Sequence, residues 1–382
     1  MKHQSLVLVN LLALSLVGCG GGGGGDSSTT PQTNPPVTPP ISTTNPTPPA
    51  TTNPTTGSGA ASNPSSSTTV VSLTEGTLGV IEHINKARET CGFGKLATNN
   101  ELVKASENHL NYLKTVADNS QTAFMSHGEA ADSTSMLTGI NNQFFSGNTI
   151  KERVGYSTTK NQAYAIDYKP LLVGENLSLG FEINRLPITA TFSKQDGYNA
   201  VNRLLSAPYH LRSMVLPSFV DIGASTKLVE YQKDGSYNYL KYTGVTLGTQ
   251  LSASIPKVNS VLTYPCGGID NSEYRLDNEY PNPFGNTRDL AKDPIGQPLY
   301  FQTNPNKKLV SYQVSLMNNG VPVELLNMDA GNDPNKILSS NDIFMMPNKP
   351  LTPATKYDVK YTITYNDNTV DQGAYSFTTK AA

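Results

Sequence analysis

The stretch Gly174-Glu175-Asn176-Leu177-Ser178-Leu179-Gly180 decides the reading of this chain. Glu175 can accept hydrogen bonds from backbone N–H groups while Asn176 braces a turn, and the same carboxylate can line a cleft. Upstream stand Met125-Ser126-His127-Gly128 and Glu152-Arg153-Val154-Gly155-Tyr156. Downstream come Ala207-Pro208-Tyr209-His210-Leu211-Arg212 and, after Pro217, Asp221-Ile222-Gly223-Ala224. These segments carry His127, Glu175 and His210, with Asn176 and Tyr209 beside them. Two imidazoles and a carboxylate suit a divalent metal such as zinc, held by His127 and His210 with a position open to water. The plainer alternatives are that His210 caps or packs a helix end and that Glu175 is structural.

Around these segments the hydrophobic pattern is mixed. Thr74 can cap a helix with Glu75 following; Ile81, Ile84, Ala87 and Arg88 fall at helical spacing, and Gly92 stops it. A second helix begins near Asn100 and lines up Leu102, Ala105, His109, Leu113 and Val116, so His109 reads as a core residue. A third runs from Gln195 to Leu205 with Tyr198, Val201 and Leu204 on its stripe, and Pro208 interrupts it. His83 reads as surface. Ala224–Tyr231 and Tyr237–Gly248 are strand-like, the second alternating and rich in Tyr, Thr and Val.

Taken in order, these segments resemble the CAP superfamily (SCP-like; cysteine-rich secretory proteins, antigen 5 and pathogenesis-related proteins) over roughly residues 76–250. The carrying motifs are Gly174–Gly180, Ile84-Asn85-Lys86-Ala87-Arg88, and Pro208-Tyr209-His210 before Gly223. The resemblance implies a CAP-type α/β/α sandwich with a cleft of two His and two acids. His127, His210 and Glu175 take three of those places. The second acid would stand at Ala207 and the usual Trp at Leu204, so the tetrad is incomplete; Glu129 is the weaker substitute for that acid. Lipid and sterol binding occurs in some members.

From Thr263 the character changes. Residues 271–296 are rich in Asn, Asp and Pro, and then Leu309–Leu316, Tyr357–Tyr365 and Ala374–Thr379 alternate between turns. That spacing predicts a small all-β sandwich. Leu351-Thr352-Pro353-Ala354-Thr355-Lys356-Tyr357 and Phe377-Thr378-Thr379 are similar to the closing strands of bacterial Ig-like modules. Asp329–Asp333 reads as a turn. The fold class expected is thus α+β, with an Ig-like sandwich after the first domain.

At the other end, Lys2 and His3 precede an apolar run, Leu6 to Val17, that closes in Leu16-Val17-Gly18-Cys19. The run is shorter than the about 20 apolar residues a membrane span needs, so it reads as a signal peptide. Its end resembles a bacterial lipobox, which implies lipidation of Cys19; Gly20 after it favours the outer membrane. Residues 20–70 are nearly all Gly, Ser, Thr, Pro and Asn, with too few apolar groups to bury, and read as a disordered tether. The organisation expected is signal peptide 1–18, anchor and linker 19–73, CAP/SCP-like domain 74–262 and Ig-like domain 263–382. Cys91 and Cys266 can form a disulfide or remain two buried thiols.

The 28 Lys+Arg against 30 Asp+Glu among 382 residues give a net charge of −2, which argues against a nucleic-acid partner. No G-x-S-x-G elbow or P-loop is present, and Ser157-Thr158-Thr159-Lys160 lacks the partner motifs of a penicillin-type serine site. The expected partners are the membrane, through Cys19, and an apolar molecule, glycan or envelope protein. The expected role is a binding module; the alternatives are a structural or adhesive surface lipoprotein and a metal-assisted hydrolase.

Overall fold

The computed structural model describes residues 73–131, 137–155 and 166–382, which fall in one compact unit. The lipobox, the linker and Ser157–Lys160 lie outside the described residues. Among the described residues no helix is long and apolar enough to cross a membrane.

The first half is mixed. It comprises α1 (Glu75–Thr90), β1 (Ala97–Thr98), α2 (Asn100–Ser120), α3 (Ile150–Val154), β2 (Pro170–Asn184), α4 (Lys194–Leu205), α5 (Pro208–Val215), β3 (Asp221–Lys233) and β4 (Ser236–Gln250). Local chemistry sets the ends. Thr74 Oγ1 accepts from the Thr77 N–H at 3.2 Å and starts α1. Asn99 does the same for α2 through Glu101 and Leu102. The third expected helix ends at Leu205, and Pro208 restarts it as α5, since proline at the first turn has no N–H to waste.

These strands form one sheet in the order β1-β3-β4-β2, with β2 and β4 antiparallel from Pro170↔Gln250 to Asn184↔Tyr237. Side chains alternate across it. Ile222, Ala224, Val245 and Leu247 share a core with Val80 and Ile84 of α1, Val201 and Leu204 of α4, and Leu211 of α5. Leu177, Val229, Leu240 and Tyr242 face the other way, onto Leu110, Leu113 and Val116 of α2. Each of these Val, Leu and Ile side chains contributes roughly 1.5–3 kcal/mol on burial. Gly223 permits the contact with α2: a Cβ there would sit 2.0 Å from the Leu102 carbonyl carbon.

The second half is all β. Strands β5 (Leu262–Tyr264), β6 (Leu299–Gln302), β7 (Leu309–Asn318), β8 (Val321–Pro322), β9 (Leu325–Asp329), β10 (Asp342–Pro347), β11 (Lys356–Tyr365) and β12 (Val370–Thr378) make two sheets, ordered β5-β6-β10-β9 and β12-β11-β7-β8. Ile343 and Met345 of β10 pack with Val359 and Ile363 of β11. Phe344 and Met346, pointing the other way, join the core of α1, α4 and α5. The β5-β6-β10-β9 sheet is therefore apolar on both faces and is a wall common to both halves. Tyr357 is buried, stacks on Phe377 at 5.8 Å, and accepts the Thr352 N–H at 2.8 Å. The α+β class holds.

Cys91, directly after α1, bonds Cys266, two residues beyond β5, with a Cα–Cα distance of 5.5 Å. Of the two cysteine readings, the disulfide is the one realised.

Candidate functional site

The site grows from the alternation of β2. Glu175 lies on the same face as Leu177, so it meets α2, while Asn176 turns to α5 and donates to Ser213 Oγ at 3.1 Å. From α2, His109 places Nδ1 2.8 Å from Glu129 Oε1 and Nε2 3.0 Å from the Ser126 carbonyl. Both neighbours are oxygen acceptors, so the two contacts are satisfied only with a hydrogen on each ring nitrogen or one supplied by Glu129. Glu129 also accepts the Ser146 N–H at 2.6 Å.

Arg153, at the end of α3, is fully buried among these groups. The capping box of Thr149 and Glu152 fixes the short helix that delivers it. Its Nη2 donates to Glu175 Oε1 at 2.6 Å and its Nη1 to the His127 carbonyl at 2.8 Å. Its Nε lies 3.7 Å from Glu129 Oε1 and makes no hydrogen bond among the described residues. Burial of Glu175 favours the neutral acid. Only together do the Arg153 charge, His109 and the hydrogen bond and charge of His127 outweigh it, and they hold the carboxyl well below the usual carboxylate range.

His127 completes the group from outside. Its Nδ1 lies 3.0 Å from Glu175 Oε2, and its side chain is 50% exposed. An ionised carboxylate only accepts, so Nδ1 carries the hydrogen and, in the neutral ring, Nε2 is the acceptor. No described residue bonds Nε2. The arrangement is a carboxylate–imidazole pair that presents one basic nitrogen to solvent, backed by a buried ionic cluster.

His210 belongs elsewhere. It lies on α5, whose cap position is Ala207 and offers no side-chain acceptor. Glu279 fills that role: Oε1 accepts the Tyr209 N–H at 2.8 Å and the His210 N–H at 3.4 Å and lies 3.3 Å from His210 Nδ1, while Oε2 is buried and without a partner among the described residues. Burial pushes this carboxyl up, against the pull of His210 and the two N–H groups. Tyr209 donates its hydroxyl to buried Asp333, and Arg212 Nε donates to Asp342 at 2.6 Å. Three acids from the second half thus hold the first turns of α5.

The expected cleft of His127, Glu175 and His210 is therefore split: Glu175 and His127 meet, and His210 takes a different acid. The donor set does not fit the metal ion expected at His127 and His210. Both Glu175 oxygens are engaged, one by a guanidinium, and among the described residues no group of three or more His, Cys, Asp or Glu could hold a metal. Sequence reasoning missed Arg153 and Glu279, and set His109 and Glu129 aside. For His109 a signal was present: an imidazole in the middle of an apolar helix face needs a polar partner opposite it. Two surface hollows lie away from this chemistry. One, of about 770 Å³, is lined by Ile81, Asn85 and Lys95; the other, of about 420 Å³, by Asn318, Lys349 and Tyr357.

No protein-family profile matches the chain, and no curated protein does. Among solved structures, CopC from Methylosinus trichosporium OB3b shares 11% identity, covering 31% of this chain and 89% of its own, with a TM-score of 0.21. PcoC, a methionine-rich copper resistance protein from Escherichia coli, shares 19% over 22% of this chain and 83% of its own, TM-score 0.18. Its selenomethionine form shares 16% over 33% and 100%, TM-score 0.21. The structural neighbours are thus copper-resistance proteins and not members of the CAP superfamily, so that assignment is corrected, while the α+β class stands. The motif that suggested it has a local explanation. Glu175 answers Arg153, Asn176 answers Ser213, Ser178 accepts from Arg203 at 3.3 Å, and a Cβ on Gly174 would press on Phe219 at 3.0 Å.

Proposed function

We propose that the protein is an envelope-anchored binding module that engages its ligand through His127. The observation that carries this reading is the half-exposed imidazole whose Nδ1 is fixed by a buried, ionised Glu175, itself fixed by Arg153. Such a ring loses little freedom on binding, so its hydrogen bond to a ligand donor is preorganised. The neighbouring Met125 is also half-exposed and adds an apolar contact. A ligand with a hydroxyl, amide or ammonium donor beside an apolar portion fits this pairing, which includes the lipid, glycan and protein ligands considered from sequence. Lipidation of Cys19 and an outer-membrane location belong to the same proposal and rest on the lipobox and the Gly/Pro/Ser/Thr-rich stretch after it.

The test is binding to peptidoglycan fragments, lipid vesicles and solubilised envelope protein, read as a rise in melting temperature. His127→Ala should abolish the rise, and because it takes the donor from buried Glu175 Oε2 it should also lower the unliganded stability by about 1–3 kcal/mol. A rise of equal size in wild type and His127→Ala would overturn the assignment of the site.

A further inference from the structure

Strand β2 closes one end of the sheet β1-β3-β4-β2, so β4 pairs one of its edges and the other is free. In an antiparallel ladder the N–H and C=O of alternate residues point to opposite sides. Glu175 shows which residues point outward: its side chain is 4% exposed while the residue as a whole is only half-buried, so the exposed part is main chain. Val173, Glu175, Leu177, Leu179, Phe181 and Ile183 therefore aim their main-chain groups away from β4. Among the described residues none of these groups has a main-chain partner on that side. A long free edge is a template for another strand, and proteins blunt such edges with Lys, Pro or uncompensated inward charge. Between Leu171 and Asn184 there is no Lys, Arg or Pro, and the inward charge of Glu175 is matched by Arg153. Large apolar side chains stand exposed toward both ends, Leu171 and Leu172 at one and Phe181 and Ile183 at the other.

The order of residues along β2 points to its partner. Two identical strands paired antiparallel set the start of one beside the end of the other, and a two-fold axis perpendicular to the sheet keeps residues of the same face opposite each other. With that axis at Asn176, Val173 of one copy meets Leu179 of the other. The bulge at Leu171 steps the strand by one residue, so Pro170 and Leu171 meet Phe181, and exposed Lys169 meets Glu182. Exposed Asp167 and Arg185 then fall within a residue of each other. Neighbouring registers are worse. An axis at Glu175 sets that residue against itself and Asp167 against Glu182; an axis at Leu177 leaves Lys169 and Glu182 unmatched. We infer that β2 pairs antiparallel with β2 of a second copy of this chain, about Asn176, and joins two four-stranded sheets into one. Main-chain hydrogen bonds run the length of the edge, and the apolar ends and opposite charges fix the register.

The test is cross-linking of the full chain carrying Cys19→Ser, purified and in isolated envelopes. Cys91 and Cys266 are bonded to each other, so introduced cysteines are its free thiols. Leu171→Cys/Phe181→Cys puts two thiols about 33 Å apart along one strand, at roughly 3.3 Å per residue, beyond the span of a short bis-maleimide, so the product that joins them joins two copies. Val310→Cys/Val321→Cys, exposed on the β half, is the control pair. The expected result is a covalent dimer from the β2 pair at several times the yield of the control. Lys169→Glu should lower that yield several-fold, and adding Glu182→Lys should restore it. A yield from the β2 pair no higher than the control overturns the inference, as does a charge swap that fails to restore the dimer. Capture of a different envelope protein by the β2 thiols in place of a second copy also overturns it.

Discussion

The two histidines chosen from the sequence meet two acids, and the acids are unalike. Glu175 is buried, yet both oxygens are used and a guanidinium touches one; Glu279 is buried with one oxygen used and the other alone. The first carboxyl is driven toward its ionised form and the second toward its neutral form. The difference follows from what surrounds each. Arg153 gives Glu175 a full opposite charge at contact distance, whereas Glu279 has only a helix N-terminus and an imidazole. The first pair can present a fixed basic nitrogen to a ligand. The second ties α5 to the β half.

Opening the covalent tie should have the largest effect. The Cys91–Cys266 bond spans 175 residues, and its loss removes up to about 5 kcal/mol in the chain-entropy account. Urea unfolding of Cys91→Ser/Cys266→Ser should show that loss, with the two halves still melting together because they share the β5-β6-β10-β9 wall. Two separate transitions would contradict the shared core.

Next in size is Arg153→Met. It strands Glu175 as an unpaired buried charge, at a cost of roughly 3–5 kcal/mol. Double replacement with Glu175→Gln should recover a good part of it, because the uncompensated charge is then gone. A denaturation midpoint for the double variant no better than for Arg153→Met would place the cost elsewhere.

Tyr209→Phe should cost about 1–3 kcal/mol. It removes the hydroxyl that buried Asp333 accepts while leaving Asn335, Ile337 and Leu338 N–H groups on that carboxylate. The same change should leave the His127 pair untouched.

The two acids should also separate by pH. Glu175 has a lowered pKa, so its stabilisation is complete above the ordinary carboxylate range and is lost only as pH falls through the lowered value. Glu279 has a raised pKa, so the stability tied to its neutral form is present at low pH and is lost as pH rises through the raised value. Melting temperatures across pH should show Glu175→Gln less stable than wild type from neutral pH down to the ordinary carboxylate range. Glu279→Gln should gain on wild type as pH rises. Parallel curves for both variants would remove the distinction.

Much of the frame was legible in the sequence. The Thr74 cap, the stripe of α2, the strands β3 and β4, and the alternation of β7, β11 and β12 follow from period and capping alone. The run Ile343-Phe344-Met345-Met346 was not read as a strand because it does not alternate. It cannot alternate, since each of its faces meets a core. His127 and Glu175 were found because short motifs mark them. Glu279 was not, because a cap delivered across 70 residues to the N–H of Tyr209 leaves no local pattern. Ala207, the missing acid in the expected tetrad, is instead the uncapped start of α5, and that vacancy was the one visible trace.

The account rests on the way Glu175 presents His127, and the tautomer of that ring tests it most directly. Nitrogen-15 chemical shifts of the histidine side chains at mildly alkaline pH, assigned with His127→Ala, should show His127 protonated on Nδ1 and bare on Nε2, with the preference lost in Glu175→Gln. A ring protonated on Nε2 in the wild-type protein, unchanged by Glu175→Gln, would contradict it.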